Sequence, residues 1–477
     1  MKRRDFLRNT LCSTLACSTG SAFLTQMGMV NAALAQSCPS YPPVDDYKAL
    51  VCIFLLGGND SYNLLIPSDT ARYNTYIASR GHQSAGGVGI EKADLVSITE
   101  KNPLVPGQTY GLHPSASKLQ SLFNNGNLAF VVNTGTVLQQ TTKTDYNTKG
   151  FPLPPQLFSH ADQQGQWQYG QPTQNGIVGW GGLVADRLSV LNPGMTIPMS
   201  ISLGGQNRFQ AGQSVQPYTV TPNGPAQLTG YSGTQAGTMR MSALMDLLNQ
   251  AYPDPLSRTY AKTMSNSIDW YNALSTALGG AADVSSYFPA PGTNPVADSL
   301  QEIAKIISVN SALKAHRQIF FLSFGSFDTH DGQLDADTGQ PYLFSTIAEA
   351  VSSFYNATKG IGLDKSVTTF TLSEFARTLN SNGDGTDHAW AGIQFAAGGA
   401  VKGQTLYGAP CASGSVFPDQ TLDSKDCLAR GQMIPSVSVD AYSATFAKWL
   451  GVNSCDIDDI FPYVKNFPTA DLGFLTA

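Results

Sequence analysis

Four apolar runs of strand length constrain this chain more than any other feature. They are residues 49–56 (ALVCIFLL), 128–133 (LAFVVN), 318–324 (QIFFLSF) and 367–372 (VTTFTL). A strand that is apolar at every position is buried on both faces, and such strands belong to parallel sheets covered by helices. Helical patterns precede three of the runs, over residues 115–123, 297–315 and 344–358. Helices alternating with fully buried strands predict an α/β fold with a largely parallel central sheet, covered on both faces.

The polar chemistry follows these runs directly. Gly57-Gly58-Asn59-Asp60 comes after the first, Asp328-Thr329-His330 after the third and Ser373-Glu374 after the fourth. Ligands of open α/β sheets bind outside the carboxyl ends of the strands. Three clusters at three such ends are therefore expected to converge. Asp60 follows a double glycine that permits a tight turn, so it either faces a ligand or caps the next element. Asp328 and His330 lie two apart and point the same way in extended chain. They can share a metal ion or a proton, the plainer alternative being an Asp cap beside a surface histidine. Glu374 is followed by Arg377, and Asp387-His388 sits in a glycine-rich loop (NSNGDGTDHAW). Mixed carboxylate and imidazole donors suit zinc, manganese or iron, and oxygen-only sets suit calcium or magnesium. Asp384 and Asp387 form an alternative calcium loop, although their spacing does not fit an EF-hand.

The nucleophile is less distinct. Ser159 precedes a helix start (HADQQ), where free N–H groups favour an anion, yet on sequence alone an ordinary N-cap explains it better. Thr134 and Thr136 are rivals. His113 (GLHPS) either fixes a turn or lines the cleft. Asn59, His113 and Arg377 are the residues expected to meet substrate. No Gly-x-Ser-x-Gly elbow, phosphate loop, His-Glu-x-x-His helix or dinucleotide fingerprint is present.

Residues 2–8 (KRRDFLR) have the twin-arginine export pattern, and residues 9–35 carry no charge. Ala33-Leu34-Ala35 is a small-x-small cleavage site with Gln36 the expected mature start. The reading is a leader over 1–35, carried by the twin-arginine translocase, and one domain over 36–477 with an excursion or lid near 205–290. Residues 242–278 look helical within it. The expected location is the periplasm or outside the cell. No later run reaches the length of a membrane span. Net charge is −6; the leader holds four bases and one acid, so the remainder is −9. That balance argues against nucleic acid as a partner. Of seven cysteines, Cys12 and Cys17 lie in the leader. Cys52 reads as a buried thiol, Cys411 and Cys427 as a possible bridge, and Cys38 and Cys455 as another.

The motifs VCIFLLGGNDSYNLLIP, YGLHPSASKLQSLFNNGNLAFVVNTGT, LFSHADQQGQWQ, QIFFLSFGSFDTHDGQ, TFTLSEFARTLNSNGDGTDHAW, GGAVKGQTLYG and SVSVDAYSATFAKWLGV occur in this order. Together they resemble the exported bacterial family called domain of unknown function 1501. That family is similar to the alkaline phosphatase and sulfatase superfamily. The resemblance implies a three-layer α/β/α sandwich and hydrolysis of phosphate or sulfate esters at a divalent metal centre (zinc, manganese or calcium). It places Asp60, Asp328, His330, Glu374, Asp387 and His388 at the metal and Ser159 as nucleophile. The substrate implied is a small anionic ester or a polysaccharide. The sequence departs from the superfamily at Phe375, where a histidine ligand is usual, in the short Asp328-to-His330 spacing, and in lacking a cysteine at 159. Those departures support the alternative, a non-catalytic exported protein with at most a structural ion. A carbohydrate-binding role rests only on polar and aromatic richness.

Overall fold

The computed structural model describes residues 38, 40–103, 105–171, 173, 176–231 and 233–476. The leader, its cleavage site, Cys12 and Cys17 lie outside the described residues. In chain order the strands are β1 (Lys48–Leu55), β2 (Leu65–Pro67), β3 (Val96–Ile98), β4 (Tyr110–Leu112), β5 (Leu128–Gly135), β6 (Ser200–Ser202), β7 (Tyr218–Thr219), β8 (Arg317–Phe324), β9 (Val367–Leu372), β10 (Gly392–Ala397), β11 (Thr405–Tyr407) and β12 (Val437–Ser438). The longer helices are α1 (Thr70–Arg80), α2 (Lys118–Asn124), α3 (His160–Tyr169), α4 (Trp180–Leu188), α5 (Gln235–Leu248), α6 (Pro255–Leu278), α7 (Pro295–Ser308), α8 (Gln340–Gly360), α9 (Val439–Leu450) and α10 (Ser454–Ile460).

The main sheet runs β11-β5-β10-β9-β1-β8-β6-β7, with β12 also paired to β5. β1 lies in parallel register between β8 and β9. Every other pairing in this sheet is parallel except those of β10, which runs against both β5 and β9. All four apolar runs are therefore strands of one sheet, as their patterning predicts. The short strands β6, β7, β11 and β12 and the small sheet β2-β4-β3 lack so strong a pattern.

Alternation along β1 shows why the strand is apolar throughout. Ala49, Val51, Ile53 and Leu55 pack into one core with Leu300 and Ile303 of α7 and Leu343, Ile347 and Phe354 of α8. Leu50, Cys52 and Phe54 face the opposite core with Trp180 and Val184 of α4 and Tyr442 and Phe446 of α9. Side chains of odd and even position on one strand thus serve two helical layers, giving the expected three-layer sandwich.

The helical stretch expected over 242–278 is two helices. Asp254 caps the second, its carboxylate accepting from the N–H groups of Leu256 and Ser257, and Pro255 occupies the first turn. Proline removes a helical donor and is at home only there, so it divides the segment. The region near 205–290 supplies the edge strand β7 and the α5–α6 hairpin, and α6 packs on α7. Cys52 is a buried free thiol. The bridge expected between Cys411 and Cys427 is corrected: both are buried free thiols with separate partners. Cys411 Sγ meets Asn133, Ser436 and the Val416 carbonyl, while Cys427 Sγ meets Ser424 and the Thr421 carbonyl. No helix among the described residues is long and apolar enough to cross a membrane.

Phe370 of β9 stacks on Phe446 of α9, with centroids 4.2 Å apart and planes at 22°. Deleting such a ring leaves a cavity as well as removing transfer energy. Phe370→Ala is expected to cost about 3–5 kcal/mol, read as a lower midpoint in urea unfolding of the purified protein.

Candidate metal centre

Four acceptor atoms meet above the carboxyl ends of β8 and β9. His388 Nε2 lies 3.0 Å from His160 Nε2 and 3.0 Å from His330 Nε2. The Asp328 carboxylate is 3.4 Å from His160 Nε2, 3.1 Å from His330 Nε2 and 3.4 Å from His388 Nε2. Asp328 and His330 follow β8, and His160 opens α3. His388 precedes β10, the reversed strand, which brings the start of that strand to the end where its neighbours finish.

The other ring nitrogen of each histidine is fixed. His160 Nδ1 donates to Glu374 Oε1 at 2.9 Å, His330 Nδ1 to Asp387 Oδ1 at 2.9 Å, and His388 Nδ1 to the Phe158 carbonyl at 2.8 Å. Carbonyls and carboxylates only accept, so these partners assign the proton of each neutral ring to Nδ1. The three Nε2 atoms then present lone pairs to one another and to a carboxylate. Such a set needs a cation, and histidines oriented by carboxylates and carbonyls are how proteins build metal sites. The side chains keep 25–43% of their exposure, so the space between them is open to solvent. His160, Asp328 and His388 form a donor set that could hold a metal ion, with His330 beside it.

Supporting residues hold the cluster in place. Glu374 is fully buried, and its Oε1 accepts from the Gly57 N–H and the Gln164 amide besides His160. Arg377, also fully buried, donates to Asp328 Oδ1 at 2.7 Å and to the carbonyls of Gly57 and Thr386. Partial burial works to raise the Asp328 pKa. The Arg377 guanidinium, with help from His160 and His330, more than offsets this and holds it below the usual range. The Glu374 hydrogen bond raises His160, against partial burial, whereas burial lowers His388. Desolvation also opposes ionisation of Asp387, yet Arg430, Asn382 and His330 bring it down to about 2.

The double glycine makes this packing possible. At Gly57 (φ +119°) a Cβ would stand 2.3 Å from the Asp328 backbone nitrogen. At Gly58 (φ +86°) it would stand 2.4 Å from the Phe375 ring. Phe375 in turn packs on both His160 and His388, at 4.8 and 4.7 Å between centroids. Phe158 adopts a left-handed φ of +69° while its carbonyl serves His388. Strain of this kind persists only where the surroundings impose it.

Of the residues expected at the metal, the structure brings together Asp328, His330 and His388. Glu374 and Asp387 are corrected from ligands to orienting groups, since each carboxylate faces a histidine Nδ1 rather than the shared point. Asp60 is corrected as well. Its oxygens lie 2.5 and 2.6 Å from the Arg80 guanidinium and 2.8 Å from Gln333 Nε2, with both charged side chains fully buried. A carboxylate neutralised by a two-pronged arginine pair is a fold element, not a free ligand.

The three residues expected to meet substrate are buried. Arg377 is committed to Asp328. The Asn59 N–H donates to Ser373 Oγ, and its side chain is closed to solvent. His113 accepts from the Ser115 N–H and packs edge-on to Phe344, and burial lowers its pKa to about 4. It fixes a turn. Ser159 caps the start of α3, with its hydroxyl donating to Asp162 Oδ2 at 2.6 Å. His160 is the candidate donor that sequence reasoning missed, because at a helix start it reads as an ordinary polar residue.

A model of the family described as Protein of unknown function (DUF1501) matches residues 47–430. No curated protein matches the chain. Thirty chains of solved structures do. Ps i-CgsB is 10% identical, over 88% of this chain and 77% of that one, with a TM-score of 0.34. Its complex with k-i-k-neocarrahexaose gives 10% identity over the same shares and a TM-score of 0.33. The lipoteichoic acid synthase LtaP from Listeria monocytogenes is 9% identical, over 76% of this chain and 67% of that one, at 0.29. Likenesses this loose transfer no residue roles.

Two substitutions separate ligand support from fold support. Asp387→Asn is expected to weaken metal binding about 10–100-fold with little change in melting temperature, as read by competition with a chromogenic chelator. Asp60→Asn leaves Arg80 buried and unpaired, so about 3–5 kcal/mol of stability should be lost. Elemental analysis of the folded fraction should still give the wild-type metal content.

Proposed function

The chain belongs to the DUF1501 family, and we propose that it is an exported metal-dependent hydrolase of phosphate or sulfate esters. The observation that carries this reading is the solvent-open convergence of His160, His388 and the Asp328 carboxylate, with His330 beside them. Structural zinc sites are closed by four protein ligands, whereas catalytic sites have three and keep a position for water or substrate. A divalent ion bound there would neutralise ester oxygens and activate the attacking group.

The protein's own part is positioning. His160, His388 and Asp328 would hold the ion, with His330 beside them, and Glu374, Asp387 and the Phe158 carbonyl keep each imidazole turned inward. Arg377 keeps Asp328 ionised. Ser159 is the proposed nucleophile. Its hydroxyl already donates to Asp162, which can take the proton as the oxygen attacks phosphorus or sulfur. The ester oxygen leaves, and water later releases the phosphate or sulfate from the serine. Export rests on the twin-arginine pattern of residues 2–8, with the periplasm or the medium as the proposed location.

One observation favours a second reading, a non-catalytic protein with a structural ion. His330 Nε2 lies 3.0 Å from His388 Nε2 and 3.1 Å from Asp328, so a small shift would add a fourth donor, the number that a closed structural site uses. The two readings part on turnover. The full chain, purified after export, is expected to contain a divalent metal and to cleave an aryl phosphate or an aryl sulfate. Asp328→Ala should lose both the metal and the turnover. Ser159→Ala should lose turnover while keeping the metal. Full metal content with no cleavage of either ester would sink the hydrolase reading in favour of the second. Full cleavage by metal-free Asp328→Ala would sink the metal assignment itself.

A further inference from the structure

At the β7 edge of the sheet, away from the metal ligands, α6 roofs a long groove. Two cavities of about 750 and 650 Å³ adjoin there. Both are lined by Gln216, Thr259, Thr263, Asn266 and Trp270, so they form one trough. Each is in the size range of sites that hold organic ligands. One end is walled by residues 195–198, which precede β6, and the other by Gln206, which follows it. The trough therefore runs along the strand direction, towards the side of the sheet where β8 delivers Asp328. Its shape suits an extended ligand.

Its lining narrows the chemistry. Amide and hydroxyl side chains alternate with apolar ones, and the partly buried Trp270 sits against Tyr218 with centroids 5.6 Å apart. Sugar rings present an apolar face to an aromatic ring and hydroxyls to amides, which matches this mixture. Arg258 and Lys262 stand one turn apart on α6 at the end near residues 195–198. Both are exposed, and neither has an ion-pair partner among the described residues. No Asp or Glu lines either cavity, although the chain as a whole is acidic, at −6. Two free cations in an acid-free trough on an acidic protein are electrostatically complementary to a sparsely charged anion. A densely charged nucleic acid would meet repulsion from the rest of the surface.

We propose that this trough binds an extended anionic glycan, a chain of sugars bearing sulfate or carboxylate groups. Trp270 is the stacking platform, Asn266 and Gln216 read hydroxyls, and Arg258 with Lys262 holds an anionic substituent. The site is separate from the metal centre and does not depend on its being catalytic.

The test is calorimetric titration of the full exported chain, with and without chelator, using a lightly sulfated dextran, a largely methyl-esterified polygalacturonate, uncharged dextran and polyglutamate. The lightly sulfated dextran or the esterified polygalacturonate should bind with or without chelator, more weakly at high salt, and which of the two binds better identifies the substituent. The exposed double variant Arg258→Gln/Lys262→Gln should weaken that binding about tenfold and flatten its salt dependence. Trp270→Ala should weaken it as well, and the fluorescence change on binding should vanish in Trp270→Phe. Because Trp270→Ala also removes packing against Tyr218, the double variant, with an unchanged melting temperature, is decisive. Unchanged affinity in the double variant overturns the proposal, as does an absence of binding to both anionic glycans. Polyglutamate binding as tightly as the glycans also overturns it, and points to an acidic protein partner.

Discussion

Three imidazole lone pairs and a carboxylate repel one another at the carboxyl end of the sheet, and much of the surrounding structure exists to hold them there. Each Nδ1 is tied to an acceptor that fixes the ring, Arg377 is committed to Asp328, and Phe375 packs against two of the rings. These are neither the cheapest packing choices nor the most stable ones. Glu374 is a buried carboxylate with one oxygen serving three donors and the other unpartnered. Phe158 carries a backbone conformation that costs about 1–3 kcal/mol elsewhere. A chain under no pressure to keep lone pairs converging would relax both.

The layers of the fold were legible in the sequence because burial on two faces leaves an unbroken apolar run, and β1, β5, β8 and β9 all have one. The short strands were not, since two or three residues carry no period. Within the centre, Asp328 and His330 could be read from a local spacing at a strand end, and His388 stood beside an acid in a polar loop. Glu374 and Asp387 were placed in the right neighbourhood but in the wrong role, because sequence cannot say whether a carboxylate faces a metal or a histidine Nδ1. Asp60 misled for a similar reason. Its partner Arg80 lies a helix away, at the last residue of α1, and nothing local announces the pair.

The position of Phe375 changes what its sequence seemed to mean. A residue unable to bind metal, at a position where the sequence resemblance led one to expect a ligand, read as loss of a site. In the structure its ring packs beside both His160 and His388, and Gly58 has no side chain because that ring occupies its place. The departure belongs to a differently built centre in which His160, on a helix, supplies the donor. Gly57 and Gly58 are thus tied to Asp328 and Phe375 through space rather than to the carboxylate that follows them.

The reversed strand β10 also fixes an order of events. Among the described residues β5 has no strand partner in the first half of the chain; it pairs with β10, β11 and β12, all beyond residue 391. Until that late segment docks, the strand leading towards His160 is not stitched to the strands bearing Asp328 and Glu374. Pairings of such long sequence separation are slow, because loop closure must precede any gain from contact. The centre is therefore a late product of folding. A nascent chain lacking its last ninety or so residues would carry most of the ligands without yet owning a place to bind an ion.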